Sequence, residues 1–558
     1  MYRLFNEHNI RRVHEADGLW DFCTADGAYI GKMAVPSCWE SVPALSAYRG
    51  KATYTKRMTL GGNVRLVFKG VSHTAKVYVN GDPVCEHYNA YTEFHTDLSL
   101  PHGEHEICIE VDNSYSGESA LHVENDYYTY GGIIRPIIIE ELSDAVINHV
   151  HFTPKREGKR WTARAVAEVE SRSDKDVSYT LSLSIGGVVT DKTVHLDARK
   201  TVSVEFDLSF DQITSYTSDE PKLYPLSLVL YNGDTAVDDL IDRVGFREIG
   251  VDGRRILLNG EPILLRGFNR HEDYNSLGSS VPLQAMMRDL GLIREAGANC
   301  IRTSHYPNDE LFLDLCDEMG ILVWEEGHAR GLSEKQMSNP CFISQSLNCI
   351  DEMITSHYNH PSVFCWGILN ECSSDTEYGR ECYKALFDRI AARDTSRPKT
   401  FASNKNLGDI CFDLCDIVSV NMYPGWYNFA DLDRADKHIA KLMKHADESA
   451  GVKPFIISEI GAGGIYGFRS DSACKWSEEG QAQILDTQLT EALSNDDVCG
   501  VFVWQFCDVR VDESWFSSRP RCMNNKGIVD EYRRKKLAYD VVKRHFSEND
   551  EKCHTPPN

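Results

Sequence analysis

Two glutamates carry the first chemical signal. Glu371 follows an asparagine in "ILNECSSD", and Glu459 sits near the end of "FIISEIG". Each closes a short apolar run, so each carboxylate stands where an extended segment ends. Two carboxylates flanking a glycosidic bond are what its hydrolysis needs. One protonates the leaving oxygen; the other attacks the anomeric carbon or activates water. A single glutamate at a strand end is ordinarily solvated or salt-bridged. Two of them, one beside Asn370 and both among further polar strand ends, call for another explanation.

The elements that must bring them together begin near residue 250. Apolar runs start at Ile263, Asn299, Ile321, Ser362, Lys399, Ile417, Phe455 and Gly500, with helical stretches between them. Eight such βα units predict a (β/α)8 TIM barrel. In "LQAMMRDLGLIREAG" the spacing puts Met286, Met287, Leu290 and Ile293 on one helical face, ending at Gly297. Glu371 and Glu459 are 88 residues apart, about three units at ~31 residues each. The strand ends carry Arg270-His271-Glu272, Ser304-His305, Glu325-Glu326, Asn370-Glu371, Ser403-Asn404, Asn421 with Tyr423, Glu459, and Gln505 with Asp508. Active sites of such barrels lie at this pole. "GAGGIYG" (461–467) follows a strand but lacks the G-x-G-x-x-G spacing and a Walker lysine, so it reads as a tight turn.

The chain before the barrel is β-patterned. Residues 1–143 hold alternating runs and an Asn80-Gly81 hairpin signal, as in a jelly-roll β-sandwich. Residues 144–248 alternate more cleanly, through Val177, Tyr179, Leu181, Leu183 and Ile185, then Val202, Val204, Phe206, Leu208 and Phe210. That is an immunoglobulin-like sandwich with one wet face. The expected division is 1–143, 144–248 and 249–558, multidomain all-β plus α/β.

The chain of 558 residues has 84 acidic and 59 basic side chains, a formal net charge of −25. Such a surface repels nucleic acid and anionic membranes, and an anionic substrate would need local positive charge. No run approaches the ~18 apolar residues of a membrane span. The N-terminus shows no secretory h-region, which predicts a cytoplasmic protein. The 18 cysteines lack C-x-x-C spacing and read as reduced core thiols; no metal-ligand cluster is evident.

"NHPSVFCWGILNECSSD" (359–375), "RTSHYP" (302–307), "GFNRHEDY" (267–274) and "KPFIISEIG" (453–461) resemble the signature segments of glycoside hydrolase family 2. The domain order is also similar, over nearly the whole chain. The resemblance implies a retaining enzyme, with Glu371 as general acid/base and Glu459 as nucleophile, ~5–5.5 Å apart. The charge on Glu459 would keep Glu371 protonated, and glycosylation would remove that charge and let Glu371 act as base. It implies that Asn370 bonds the sugar 2-hydroxyl, that Tyr423 donates to Glu459, that Trp504 floors the sugar ring, and that His305 contacts the sugar or positions Glu371. No cofactor and no metal are implied; a homo-oligomer, tetramer or dimer, is.

Within that family, "RCMNNKG" (521–527) looks like the carboxylate-reading Asn-x-Lys loop of the β-glucuronidases. Lys526 would supply the charge and Asn524 an amide donor for a uronate at C5. An arginine often precedes that pair; here Arg519 and Arg521 flank Pro520, and Arg521 is the expected second cation. "NMYPGWYNFADL" (421–432) resembles the stretch carrying two tyrosines, Tyr423 and Tyr427. "NDYYTYGGIIRP" (125–136) resembles the segment that reaches into the barrel mouth, so that Asp126 meets a sugar hydroxyl. The segment after Glu326 is short, which implies an open mouth tolerant of larger aglycones. The expected substrate is a small-molecule or oligosaccharide β-glucuronide. A β-galacturonide, whose C4 epimer bears the same carboxylate, remains the alternative. A β-galactosidase would leave Lys526 without an anion, and a non-catalytic carbohydrate-binding protein would leave the glutamates unused.

Overall fold

The computed structural model describes residues 1–158 and 160–553. Eight parallel strands close a barrel: Leu265–Arg270, Cys300–Thr303, Leu322–Glu326, Val363–Asn370, Lys399–Ser403, Val418–Asn421, Phe455–Ile460 and Val498–Val503. They pair in chain order, and the eighth returns to the first. Each of the eight apolar runs supplies one strand. Nearly all their side chains are buried, helices outside and barrel core inside, so they read as unbroken apolar runs rather than alternating ones. Side-chain caps start several of the surrounding helices: Asp309, Thr376 and Ser477 each accept from a first-turn N–H, each worth ~1 kcal/mol.

The helix Leu283–Glu295 buries Met286, Leu290 and Ile293, but Met287, expected on that face, is 55 % exposed. A step of about 100° per residue carries Met287 out of the contact stripe. Asp289 lies buried instead, where it receives Arg270 and Arg533.

Three short strands, Ile249–Asp252, Arg255–Leu258 and Glu261–Ile263, precede the barrel. Their Ile249, Ile256 and Leu258 join Leu265, Trp324, Phe364 and Phe502 in one buried cluster. Apolar packing thus fills the end where the strands begin and leaves polar groups to the other pole.

The first β-sandwich is built on two long antiparallel strands, Lys51–Phe68 and Phe94–Asp112, with a register shift at Leu60/Gly62. The bulge lets each strand bend and serve both layers. Asn80 and Gly81 both take positive φ, 53° and 89°, as a type I′ hairpin requires. The second sandwich packs a three-stranded sheet on a four-stranded one. Leu181, Leu183, Phe206, Leu208 and Phe210 point inward as the alternation predicts.

One segment of the first sandwich reaches the barrel. Tyr127 packs on the rings of His271 and His305, 4.8 and 6.1 Å away. The Tyr130 hydroxyl donates to Asp273 at 3.1 Å, and Asn125 accepts from Arg330 at 2.9 Å. Asp126 is thereby delivered to the barrel mouth. Among the described residues no helix is long and apolar enough to cross a membrane.

Candidate active site

Glu371 and Glu459 face one cavity of about 880 Å³, which Asp126, Arg330, Asn421, Tyr423, Tyr427, Trp504 and Lys526 also line. Glu459 is the penultimate residue of the seventh strand and is 3 % exposed. Its Oε1 accepts from Arg302 Nη1 at 2.9 Å, and its Oε2 from the Tyr423 hydroxyl at 2.5 Å. Arg302 is itself held by Glu326 (2.7 and 2.9 Å) and donates to Asn370 Oδ1 at 2.8 Å. Burial first, then the charge of Glu371, pushes the Glu459 carboxyl up to about 7, against the downward pull of Arg302 and Tyr423. Burial and Glu459 raise the Tyr423 phenol far above its ordinary range, so it stays a donor.

Glu371 follows the fourth strand with φ 54°. A non-glycine residue in this left-handed region is unfavourable and recurs at functional sites. It turns the carboxylate toward Asn421 Nδ2, at 3.0 Å, and the Arg330 guanidinium, at 3.5 Å. Asn421 Nδ2 also donates to Asn370 Oδ1 at 3.1 Å. Both acceptor contacts of Asn370 are thus used by neighbours, whereas its Nδ2 is buried with no partner among the described residues.

The loop after the eighth strand supplies a second part of the lining. Lys526 is 3 % exposed, with its ammonium 5.4, 5.9 and 5.6 Å from the ring centres of Tyr423, Trp426 and Tyr427. Among the described residues its one side-chain hydrogen bond is a long 3.5 Å contact to the Tyr427 hydroxyl. Burial first, with help from Arg519 and Arg330, pushes Lys526 down to about 8, although Asp126 and Glu459 act the other way. Asn524 is fully buried and its Nδ2 has no partner among the described residues. A buried donor left open costs about 1–3 kcal/mol unless a ligand meets it.

This loop is fastened from behind. Asp508 Oδ1 accepts from Gly527 N at 3.0 Å and from Lys536 Nζ at 2.7 Å, and Gln481 Nε2 reaches Gly527 O at 3.0 Å. A Cβ on Gly527 would lie 2.3 Å from Asp508 N. The "GAGGIYG" loop packs against it, Gly464 N donating to Asn525 O at 2.9 Å, and a Cβ on Gly461 would meet Trp504 O at 2.2 Å. Those glycines serve close packing between two loops.

Three profiles of one family cover the chain: the TIM barrel domain of glycosyl hydrolases family 2 over residues 249–549, its sugar binding domain over 33–142, and a further family 2 domain over 145–247. The chain belongs to glycosyl hydrolases family 2. It is therefore a glycoside hydrolase. Among solved structures it is similar to a β-galacturonidase from Eisenbergiella tayi bound to galacturonate, at 48 % identity, TM-score 0.96, covering 98 % of this chain and 99 % of that one. It is also similar to a β-D-glucuronidase of Dictyoglomus thermophilum, at 25 % identity, TM-score 0.86, covering 97 % and 98 %. A Sus scrofa β-glucuronidase is 28 % identical over 535 residues, 89 % of this chain and 80 % of that protein.

Of the residues singled out in the sequence of this family 2 member, Glu371, Glu459, Asp126, Tyr423, Tyr427, Trp504 and Lys526 line the cavity; Asn370 shares Asn421 with Glu371 and Arg302 with Glu459, and Asn524 is buried outside that lining. Two expectations are corrected. Arg521 turns away: it pairs with Glu531 and reaches Asn525 at 3.5 Å. Arg519 is the arginine on the cavity side, gripping Asp126 through Nε at 2.8 Å and Nη2 at 2.5 Å. Pro520 and the left-handed Arg521 (φ 62°) send the two guanidinium groups in different directions. His305 does not reach Glu371: it stacks beneath Trp504 at 5.1 Å and bonds Glu326 at 3.0 Å. Burial and Arg302 keep its imidazole far below the usual range, so it is neutral.

The polar strand ends also divide. Arg270 turns outward to Asp289, Glu272 to Arg135 and Glu325 to His357. Arg302, Glu326, Asn421 and Arg330 were not singled out by role. The first three sit inside the quoted motifs or strand ends, where period-2 alternation assigns Glu326 inward and Glu325 outward. Arg330 lies in the short segment after the third strand and carried no signal beyond being a lone arginine there.

Proposed function

We propose that this glycoside hydrolase is a retaining exo-β-uronidase whose Lys526 and Asn524 read the C5 carboxylate of the terminal sugar. The observation that carries this reading is the buried, aromatic-caged Lys526 in the cavity that the two glutamates share, with the unpartnered Asn524 amide two residues before it. A neutral hexose would leave that ammonium buried without an anion, at a cost of several kcal/mol. A uronate supplies it with a charge-assisted partner.

In the proposed mechanism Glu459, held by Arg302 and Tyr423, attacks C1 while Glu371 gives its proton to the aglycone oxygen. The C1–O bond breaks and a glycosyl ester forms. Glu371, now ionised, takes a proton from water; the hydroxide attacks C1 and releases Glu459. Asn370 Nδ2 is free to donate to the sugar 2-hydroxyl, and Trp504 offers its face to the ring. Between the epimers, the galacturonide is favoured over the glucuronide first expected, because the 48 % identical relative is named a galacturonidase and the named glucuronidases lie at 25–28 %. The glucuronide reading is kept, since the carboxylate is common to both. The division into units 1–143, 144–248 and 249–558 is supported by strands that end at Leu142 and begin at Ala145 and Ile249. Turnover of nitrophenyl β-galacturonide, β-glucuronide, β-galactoside and β-glucoside tests the assignment. Both uronides should exceed both neutral sugars, with the galacturonide first; a neutral sugar ranking first would overturn it.

A further inference from the structure

The cavity does not stop at the dyad. It runs on past Asn404 and Asn406 to Arg434, Lys437, His438 and Lys441. Its 880 Å³ lies near the top of the ~300–1,000 Å³ range of small-molecule sites, more room than one pyranose ring needs. The helix Ala435–Ala450 starts here, with Arg434 as its N-cap and no side-chain cap bond. Lys437 and Lys441 are one turn apart on one face. The macrodipole makes cations at a helix N-terminus unfavourable by ~0.3–1 kcal/mol each. Arg434 at the N-cap and Lys437 in the first turn, which also holds Asp436, lie in a chain of net charge −25, and basic residues there break a local rule of the kind that proteins break at functional sites. Arg434, Lys437 and Lys441 are exposed, and no salt bridge joins them to an acid among the described residues; Asp431 is the one carboxylate lining this distal stretch. The side-chain cations Arg434, Lys437 and Lys441 therefore outnumber the acids Asp431 and Asp436 along this stretch and give it local positive potential.

We infer that this stretch is an aglycone subsite for an anionic sugar chain, so that the substrate class is an oligosaccharide with uronate residues following the cleaved linkage. The inference rests on the uronidase reading above. Carboxylates on the second and third rings would meet Arg434, Lys437 and Lys441 while the terminal ring is held by Lys526. The interaction is exposed, so it acts through several weak pairs and is sensitive to salt.

The test uses the full-length protein and two trisaccharides that share a terminal β-uronate. In one, the two following rings are free uronates; in the other, the same two rings carry methyl esters. The native protein should prefer the charged chain by about ten-fold in kcat/KM at low salt, the scale of three exposed pairs, and lose that preference at high salt. Replacing Arg434, Lys437 and Lys441 together by Gln should bring the two substrates level while the nitrophenyl uronide is turned over as before. Equal kcat/KM for the two trisaccharides in the native protein, or an unchanged preference in the triple variant, would overturn the inference. Failure to cleave any uronide would instead count against the uronidase reading itself.

Discussion

The two walls of the cavity are built on opposite plans. On the carboxylate wall the reacting groups are tied, although Asn370 Nδ2 stays open: each Glu459 oxygen has a donor, Arg302 spends its guanidinium on Glu326, Glu459, Asn269 and Asn370, and Asn421 ties Glu371 to Asn370. The groups come from strand ends, where a closed barrel fixes them. The wall formed by residues 519–527 is held firmly from behind, by Asp508, Lys536 and Gln481. Toward the cavity it leaves Lys526 loosely paired, and two residues earlier the buried Asn524 amide is open. Reacting groups are thus preorganised at fixed positions, while recognition groups keep their hydrogen-bonding capacity for the ligand.

Substitutions should separate the two walls. The largest effect is expected for Glu459→Gln, which removes the nucleophile: kcat should fall about 10⁴-fold or more on every substrate, with the thermal midpoint little changed. Comparable loss of the midpoint would mean that this carboxylate is structural. Next, Glu371→Gln should lower kcat about 10²–10⁴-fold on poor leaving groups and far less on activated aryl glycosides. Because the Glu371 charge contributes to holding Glu459 at about 7, the acid limb of kcat/KM for an activated substrate should move to lower pH in this variant. An unmoved limb would separate the two groups electrostatically.

The pH profile of the native protein follows from both walls. Glu459 acts ionised, so kcat/KM should fall as pH drops through about 7. Lys526 acts charged and is held at about 8, so kcat/KM for a uronide should fall again as pH rises past that value. A neutral galactoside shares the demands of the two glutamates but not that of Lys526, so the uronide-to-galactoside ratio of kcat/KM should fall as pH rises past about 8. On the recognition wall, Arg519→Gln leaves Asp126 unpaired and should cost about ten-fold in kcat/KM. Arg521→Gln, which loses a partly exposed pair with Glu531 and a long contact to Asn525, should stay within about two-fold. The reverse order would restore Arg521 to the cavity.

The barrel was legible because its strands are buried apolar runs of regular spacing, and Glu371 and Glu459 were legible because they end such runs. Lys526 and Asn524 were found through a loop similar to a family motif. What sequence could not place were the arginines. Arg519 and Arg521 differ only by the turn at Pro520, and the left-handed Arg521 that decides between them is a tertiary outcome. Arg330 gained its role when a short loop brought it within 3.5 Å of Glu371. His305 was misplaced because strand-end position fixes where a backbone lies but not whether its side chain lies in front of Trp504 or beneath it.

The most direct measurement is the ratio of kcat/KM for a β-galacturonide to that for the matching β-galactoside, in the native protein and in Lys526→Met. A charged hydrogen bond is worth about 1.5–3 kcal/mol, so the ratio should collapse by about ten-fold or more, with the galactoside unchanged or improved. If both substrates lose activity equally and the ratio stands, Lys526 serves the fold, and the carboxylate-reading role of this wall is wrong.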